Sequence, residues 1–365
     1  MKKLLILITF LILNMLTFSN NDEFYEKGKV LEILNKIKPT EDEIDIKYKL
    51  KTIIKIETGL EKGKKIIINH PIFKKEQYSV FYSQGDHVVL YASKINELSE
   101  YEYNIIDLDK RGRLIFLGIT FFILIFILGR FQGLKAILAL TTTVFLIFYG
   151  FIPLLTKGYS PILLAVILSI ISSLLTVFLI AGLKEKGKIA LIGTSLGVIL
   201  AGIISLIFVK CLHITGYTSL ESIYSAEYFN GINVKQLVSA GIIIGSLGAI
   251  MDVAISIASS LEEIYKSNPE ISRIQLFSSG MNIGKDIIGT MINTLILAYI
   301  GSSLFTVLLF MLQKQNFPII RILNFEFIVT EILRAIAGSM GILIAVPFTS
   351  YFGALMYQKK RNIEK

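Results

Sequence analysis

The pattern of apolar and polar positions divides the chain near residue 113. Before that point, short runs rich in β-branched residues alternate with turn residues; the runs read KVLEILNKI, IKYKLKTIIKIETG, KKIIINHP and DHVVLYAS. Such runs, separated by glycines and by Pro39, Pro71 and Asp86, predict about five short strands. Residues 20–112 are therefore expected to form a small all-β barrel of the OB or SH3 kind, a fold that by itself carries no function.

After residue 113 the chain is a series of long apolar runs. We number them as spans one to seven: 114–129, 134–155, 160–182, 189–209, 236–258, 287–312 and 327–356. Most approach the roughly 20 residues that an α-helix needs to cross a bilayer. Residues 113–365 therefore predict a polytopic α-helical membrane bundle of seven spans, which has the lipid bilayer as its first partner.

The beginning of the chain resembles an export signal. Lys2 and Lys3 precede an apolar core from Leu4 to Leu16, and small residues follow near Ser19. Residues 1–19 therefore predict a secretory signal peptide, and an uncleaved anchor is the alternative. Either one places residue 20 onward outside the cytoplasm.

The basic residues give the orientation of the spans. They are more frequent in the loops 130–133, 183–188 and 259–286 and in the tail from Gln358, which this topology places inside. Cytoplasmic loops carry such an excess of lysine and arginine. We therefore expect a multi-pass protein of the cell membrane, with an extracytoplasmic N-terminal domain and a cytoplasmic C-terminus.

Charge and composition exclude several other classes. The net charge of +9 suggests nucleic acid, but the excess lies at the N-terminus and in the membrane loops and tail, so no nucleic-acid partner is predicted. The single cysteine, Cys211, has no partner for a disulfide or a thiolate metal site. His70, His87 and His213 are far apart and match no metal-binding spacing, so neither a metal nor a cofactor is expected.

Span five differs from spans one to four, which are nearly uniformly apolar. Gly241, Gly245 and Gly248 are followed by Asp252 and Ser256 at helical steps of three and four, which places all five on one face. The glycines are expected to let another helix approach closely. A carboxyl group at bilayer depth is costly and marks a functional site by default. Asp252 is therefore expected to face a polar pocket, a few residues from the cytoplasmic end of its span.

Span six supplies the other half of this predicted pocket. Asp286, Thr290 and Asn293 lie on one face at steps of four and three. Because spans five and six are consecutive and antiparallel, we expect Asp252 and Thr290 to meet at similar depth, with Asp286 nearer the cytoplasm. Together with Ser256 and Asn293 they predict a substrate or ion pocket open to the cytoplasm. The structural alternative is that Asp252 hydrogen-bonds Thr290 or Asn293 to fix helix pairing, while Asp286 caps its helix.

One further charged pair lies near the start of span seven. Glu331 and Arg334 are one helical turn apart, which predicts an ion pair at the outer interface of the membrane. An outer gate is the functional alternative.

An intramembrane enzyme is the third class of function. Asp252 and Asp286 are the acids that would have to share a proton, but the local sequence is GKD rather than the GxGD of intramembrane aspartyl proteases. No serine and histidine stand together within a span. The chain is therefore not expected to be an enzyme.

Three stretches of the membrane part resemble the YibE/F family of bacterial integral membrane proteins. They are GSLGAIMDVAISIASSLEEI, SGMNIGKDIIGTMINTLILAYIGSSL and EILRAIAGSMGILIAVPFTS. GLEKGKKIIINHP and QGDHVVLYAS also resemble that family's extracytoplasmic region. The resemblance covers nearly the whole chain after the predicted signal peptide and implies a bacterial multi-pass membrane protein. It implies no substrate and no catalytic residues, so the residue roles above rest on physical argument.

Two functions of different class follow from this reading. The first is a permease or exporter of an unknown small solute or ion, because a polar pocket stands among otherwise plain helices. The second is a non-transporting scaffold or sensor, in which residues 20–112 bind an envelope protein partner.

Overall fold

The computed structural model describes residues 23–59, 61–94, 101–180, 182, 184–218, 222, 224, 226–229, 231–312 and 318–364. The predicted signal peptide, residues 1–19, lies outside the described residues. The chain divides into two compact units, Met1–Phe121 and Phe122–Lys365, and each is described by itself.

The first unit contains a five-stranded antiparallel sheet. Its strands are β1 (Glu23–Ile37), β2 (Ile46–Ile56), β3 (Lys65–Phe73), β4 (His87–Lys94) and β5 (Tyr101–Leu108). They lie in the order β3-β2-β1-β4-β5. The two edge strands, β3 and β5, come into contact at a few positions, so the sheet curls into a half-barrel. The expected small all-β domain is confirmed.

The long first strand makes this curl possible. Its first part pairs with β4 and its second part with β2, and two register irregularities fall between Val30 and Glu32 and between Ile33 and Asn35. Such irregularities bend a strand and increase its twist. Gly28 allows β2 and β4 side chains to come close to β1, because a Cβ atom there would be 2.6 Å from Ile54 and 2.8 Å from Leu90. The inner face is thereby filled by side chains of all five strands.

The second unit is helical. Its helices, of which the first begins in the first unit, are α1 (Arg111–Phe145), α2 (Ile152–Thr156), α3 (Pro161–Ile180), α4 (Glu185–Cys211), α5 (Val234–Ser267), α6 (Arg273–Leu312), α7 (Ile319–Ile322) and α8 (Glu326–Glu364). A π-helical turn, Leu146–Phe151, joins α1 to α2.

Six helical stretches among the described residues are long and apolar enough to cross a membrane. The predicted membrane bundle is thus confirmed, with predicted spans one and two counted together in one of the six stretches. That stretch is Arg111–Thr156, of 46 residues. The backbone leaves the helical conformation within it at Arg130, where φ is 47° and ψ is −129°, so the stretch is divided at the start of the predicted loop 130–133. A Cβ atom on Gly133 would consequently clash with the carbonyl oxygen of Ile125, eight residues earlier.

The core of the second unit lies where α4, α5 and α8 pack together. Ile243, Ile250 and Ile257 of α5 are completely buried in it. Two glycines allow the close approach, since a Cβ atom on Gly197 would be 2.7 Å from Ile250, and one on Gly341 would also be 2.7 Å from Ile250. Small residues at helix crossings are typical of membrane bundles. This packed face of α5 determines which residues of the same helix remain open.

The first unit contains a buried histidine that makes its stability depend on pH. His70 on β3 donates from Nε2 to the Val80 carbonyl oxygen at 3.1 Å, and burial lowers its pKa below the ordinary value of 6.5. The unfolded chain therefore binds a proton near pH 6 that the folded unit does not, so stability rises with pH in this range.

We predict that a fragment of residues 23–109 folds alone and loses stability as the pH falls below about 6.5, by up to about 1.4 kcal/mol per pH unit. The measurement is urea unfolding between pH 5 and pH 8. The His70→Gln variant should show a flatter profile. An unchanged slope in His70→Gln would contradict this assignment.

Candidate functional site

Asp252 lies on the open face of α5. The packed residues Ile250 and Val253 are completely buried, but Asp252 itself is exposed, as are Gly248 and Ser256. Within the described part of the chain, the carboxyl group of Asp252 has neither a hydrogen-bond partner nor an ion-pair partner. It is therefore an acid in a membrane-spanning helix without a structural partner.

The carboxyl group borders a cavity of about 300 Å³ between three helical segments. One wall is the part of α1 after Arg130, the second is α3 and the third is α5. Most of the lining is apolar. The polar residues of the lining are Thr143, Ser169, Ser172, Thr176 and Asp252.

Hydroxyl groups of α1 and α3 form the wall of the cavity away from α5. The Oγ1 atom of Thr143 and the Oγ atom of Ser172 lie 2.7 Å apart and share a hydrogen bond. Ser169 is buried, and its Oγ atom has no partner among the described residues. A buried hydroxyl without a protein partner can bond to a water or a ligand, so Ser169 offers a polar contact to a guest in the cavity.

Sequence reasoning missed these hydroxyls because it treated spans one to four as uniformly apolar. The signal was present: Ser169, Ser172 and Thr176 follow each other at steps of three and four, which places them on one face of a helix. Serine and threonine are ordinary packing residues in membrane helices, so this spacing alone does not predict a binding site. The position of α3 opposite Asp252 in the structure is what identifies these hydroxyl groups as part of the site.

Asp252 lies deep along its helix. Glu262, ten residues further on, pairs with Lys186 at 3.1 Å and with Lys266 at 3.7 Å, which marks a polar end of the unit. At 1.5 Å per residue, Asp252 is about 15 Å from that end. Helix α5 continues beyond the predicted end of span five, residue 258, to Ser267.

The structure does not bring the predicted residues of span six to Asp252. Thr290 donates its hydroxyl to the Ile287 carbonyl oxygen of its own helix at 2.8 Å. Asp286 and Asn293 are exposed on α6. Among the described residues, none from α6 lines the cavity at Asp252. The pocket therefore opens between spans two, three and five rather than between spans five and six.

The expected packing role of the span-five glycines is also corrected. Open space surrounds the positions where Cβ atoms would stand on Gly241 and Gly248, because the packed face of α5 is the opposite one. Gly245 alone of the three faces a close neighbour, since a Cβ atom there would be 2.9 Å from the hydroxyl oxygen of Tyr299.

Glu331 and Arg334 form an ion pair within the first turns of α8. Arg334 donates from Nη1 to Oε1 of Glu331 at 2.6 Å, and its guanidinium group lies 5.8 Å from the ring centre of Tyr299 on α6. The predicted ion pair is thus confirmed, and it packs against another helix.

The arrangement at Asp252 suits a cationic or protic guest. A single carboxylate facing hydroxyl oxygens offers the hard ligands that small cations and ammonium groups prefer. The described residues contain no group of three or more His, Cys, Asp or Glu side chains that could hold a metal ion. A cavity of about 300 Å³ reaches the lower end of the volumes that bind small molecules.

The first unit contains a second cleft, of about 650 Å³, where the edge strands β3 and β5 approach each other. Its lining mixes charged, amide and aromatic side chains with isoleucines. The principal polar residues of this cleft are Glu43, Lys49, Asn69, Tyr101, Glu102, Tyr103 and Asn104.

The comparisons with known proteins concern mainly the second unit. A family model described as YibE/F-like protein matches residues 117–359. The match includes every helix that borders the cavity at Asp252. No curated protein and no solved structure matches the chain.

We predict that the open face of α5 is hydrated at Asp252. In a Cys211→Ser background, a membrane-impermeant methanethiosulfonate reagent should label Asp252→Cys. It should not label Ile250→Cys, which is buried, or Phe178→Cys, which is exposed on an apolar face. Mass spectrometry of vesicles reports the labelled fraction. Equal labelling at residues 252 and 178, or none at residue 252, would contradict a water-filled cavity.

Proposed function

We propose that this chain, which belongs to the YibE/F-like family over residues 117–359, is a permease or exporter of a small solute or ion. In this proposal Asp252 binds the cargo, and the hydroxyl groups of Thr143, Ser169 and Ser172 complete the site. The protein crosses a bacterial cell membrane with its N-terminal unit outside and its C-terminus in the cytoplasm, as the distribution of basic residues favours.

The observation that supports this proposal is the missing partner of Asp252. Buried and intramembrane polar groups in folded proteins are nearly always hydrogen-bonded, because an unpaired group costs about 1–3 kcal/mol or more. An acid that only fixed helix pairing would be bonded to a neighbouring helix. Asp252 instead faces a cavity, which is what a group that binds and releases a guest must do.

The polarity of the cavity favours a positively charged or proton-bearing guest. A carboxylate in surroundings of low polarity attracts a cation strongly, and the hydroxyl groups on α1 and α3 can orient it. An anion would be repelled by Asp252 unless that group carried a proton. We therefore propose a small cation, an amine or a proton-coupled solute as the class of cargo.

A scaffold or sensor is the second candidate, and the cleft between β3 and β5 is the observation that favours it. Two strand edges meet there without pairing along their length, and an extended segment of an envelope protein could pair with them. A sensor of this kind would bind its partner through the first unit alone, whereas a permease needs the second unit.

We propose no catalytic role for the membrane helices. Proton sharing requires two carboxyl groups in close contact. Asp252 is the acid that borders the cavity, and Asp286, on α6, is not part of its lining.

We predict that a cation or small amine raises the Tm of the full-length protein in detergent, and that Asp252→Asn abolishes this response. At 100 times its Kd, a ligand stabilises a protein by about 2.7 kcal/mol. The measurement is a Tm scan against Na⁺, K⁺, Mg²⁺, Mn²⁺, Ca²⁺ and a panel of polyamines and amino acids.

Asp286→Asn is the matched control, because it removes an exposed acid that does not border the cavity. It should keep the ligand response. If both variants respond as the wild type does, the cavity is not the binding site and the permease proposal loses its support. If the first unit alone binds an envelope protein and no solute shifts the Tm, the sensor is the better account.

A further inference from the structure

A second polar cluster in the helical unit is left unexplained by a site at Asp252. It consists of Tyr299 on α6 and the ion pair of Glu331 and Arg334 on α8. Three of its buried atoms have no hydrogen-bond partner among the described residues: Oη of Tyr299, Oε2 of Glu331 and Nε of Arg334. Buried polar atoms without hydrogen-bond partners are unfavourable. Three such atoms in one place therefore suggest that a bound guest forms hydrogen bonds with them.

Water is the guest that fits these three atoms. They offer a donor, an acceptor and a hydroxyl group that can serve as either, which is the combination that an ordered water molecule satisfies. An anion would meet the carboxylate of Glu331. A metal cation would meet the guanidinium group of Arg334, and fixed positive charges exclude cations from membrane pores.

The cluster approaches α5, through Tyr299, on the same face that carries Asp252. The hydroxyl oxygen of Tyr299 is the group nearest to the position of a Cβ atom on Gly245. Gly245 and Asp252 are seven residues apart, about 10 Å along the helix. Between them stands Gly248, which has open space in place of a side chain. Gly245 and Gly248 thus form a strip without side chains that runs from the Tyr299 hydroxyl group towards Asp252.

We propose that this strip is a proton route, with Glu331 as its outer station and Asp252 as its inner one. The proposal rests on the proposed permease function and deepens it, because it makes the proton the coupling ion. A proton from water on the side where α5 and α8 begin adds to Oε2 of Glu331. It then passes through water along the glycine strip to the Asp252 carboxylate, and Glu331 returns to its ionised, Arg334-paired form.

The surroundings of Glu331 suit this role. Among the described residues, the ionisable groups near it are Arg334 on its own helix and Tyr299 on α6, and the hydroxyl group of Tyr299 is in turn the neighbour of Gly245 on α5. One carboxyl oxygen is bonded to Arg334 and the other is free. Glu331 can therefore accept a proton on its free oxygen without first losing its partner.

The test is the reaction of Asp252 with dicyclohexylcarbodiimide, which attacks protonated carboxyl groups. Right-side-out vesicles carrying the full-length protein are buffered at fixed internal pH, the external pH is varied, and mass spectrometry gives the labelling rate at Asp252. The wild-type rate should rise as the external pH falls, by up to about tenfold per pH unit where the group is mostly ionised.

Glu331→Gln and Gly248→Leu should abolish the response to external pH but keep a response to internal pH. Gly241→Leu is the matched control, since it places the same side chain on the same open face beyond Gly245. It should behave as the wild type. A wild-type rate that follows only internal pH, or an external response that survives Glu331→Gln, overturns the proton route.

These outcomes separate the route from the permease itself. A ligand response that needs Asp252, together with labelling that ignores external pH, would leave the permease standing and remove the proton route. External pH control of Asp252 in a protein that binds no solute would do the reverse.

Discussion

A carboxyl group in the middle of a membrane-spanning helix has few stable arrangements, and the second unit is organised around the one at Asp252. One face of α5 is closed by α4 and α8, whose glycines bring the helices into contact at Ile250. That packing fixes the rotation of α5 and leaves Gly248, Asp252 and Ser256 on the open side. The apolar core thus holds the acid in place without bonding to it.

The closely packed residues and the polar residues of α5 lie on opposite faces of the helix. Membrane helices associate through close packing and polar contacts, since lipid removes the hydrophobic drive between them. Here the close packing lies on one side of α5, and the polar groups on the other side face α1 and α3. The two polar sites, at Asp252 and at Tyr299 with Glu331, border this open side of α5. A route for a guest or a proton therefore needs no rearrangement of the core.

The sequence predicted the fold class well because both units depend on local periodicity. Short runs rich in β-branched residues, separated by turn residues, predicted the strands of the half-barrel. Apolar runs long enough for a helix to cross a bilayer predicted the membrane bundle. The turn at Arg130 was predicted as the loop 130–133, because Arg130 and Gln132 interrupt the apolar run there, although the structure makes the turn where one residue leaves the helical conformation. The signal peptide, residues 1–19, stays a prediction.

The candidate site was predicted only in part. The cost of an intramembrane acid pointed to Asp252, and helical spacing gave the correct face of α5. Spacing cannot say which helix lies opposite that face, so Thr290 and Asn293 were paired with it in place of Thr143, Ser169 and Ser172. That choice depends on tertiary packing between segments about 80 to 110 residues apart in the chain, which no local pattern encodes.

The most direct test of a guest-binding Asp252 is the stability of the empty protein. Thermal unfolding in detergent, without added ligand, should compare the wild type with Asp252→Leu. An acid without a partner contributes nothing to folding, so the Tm of the variant should equal or exceed that of the wild type. A fall of several degrees would show that Asp252 bonds to the bundle and is a structural group, which would contradict the account.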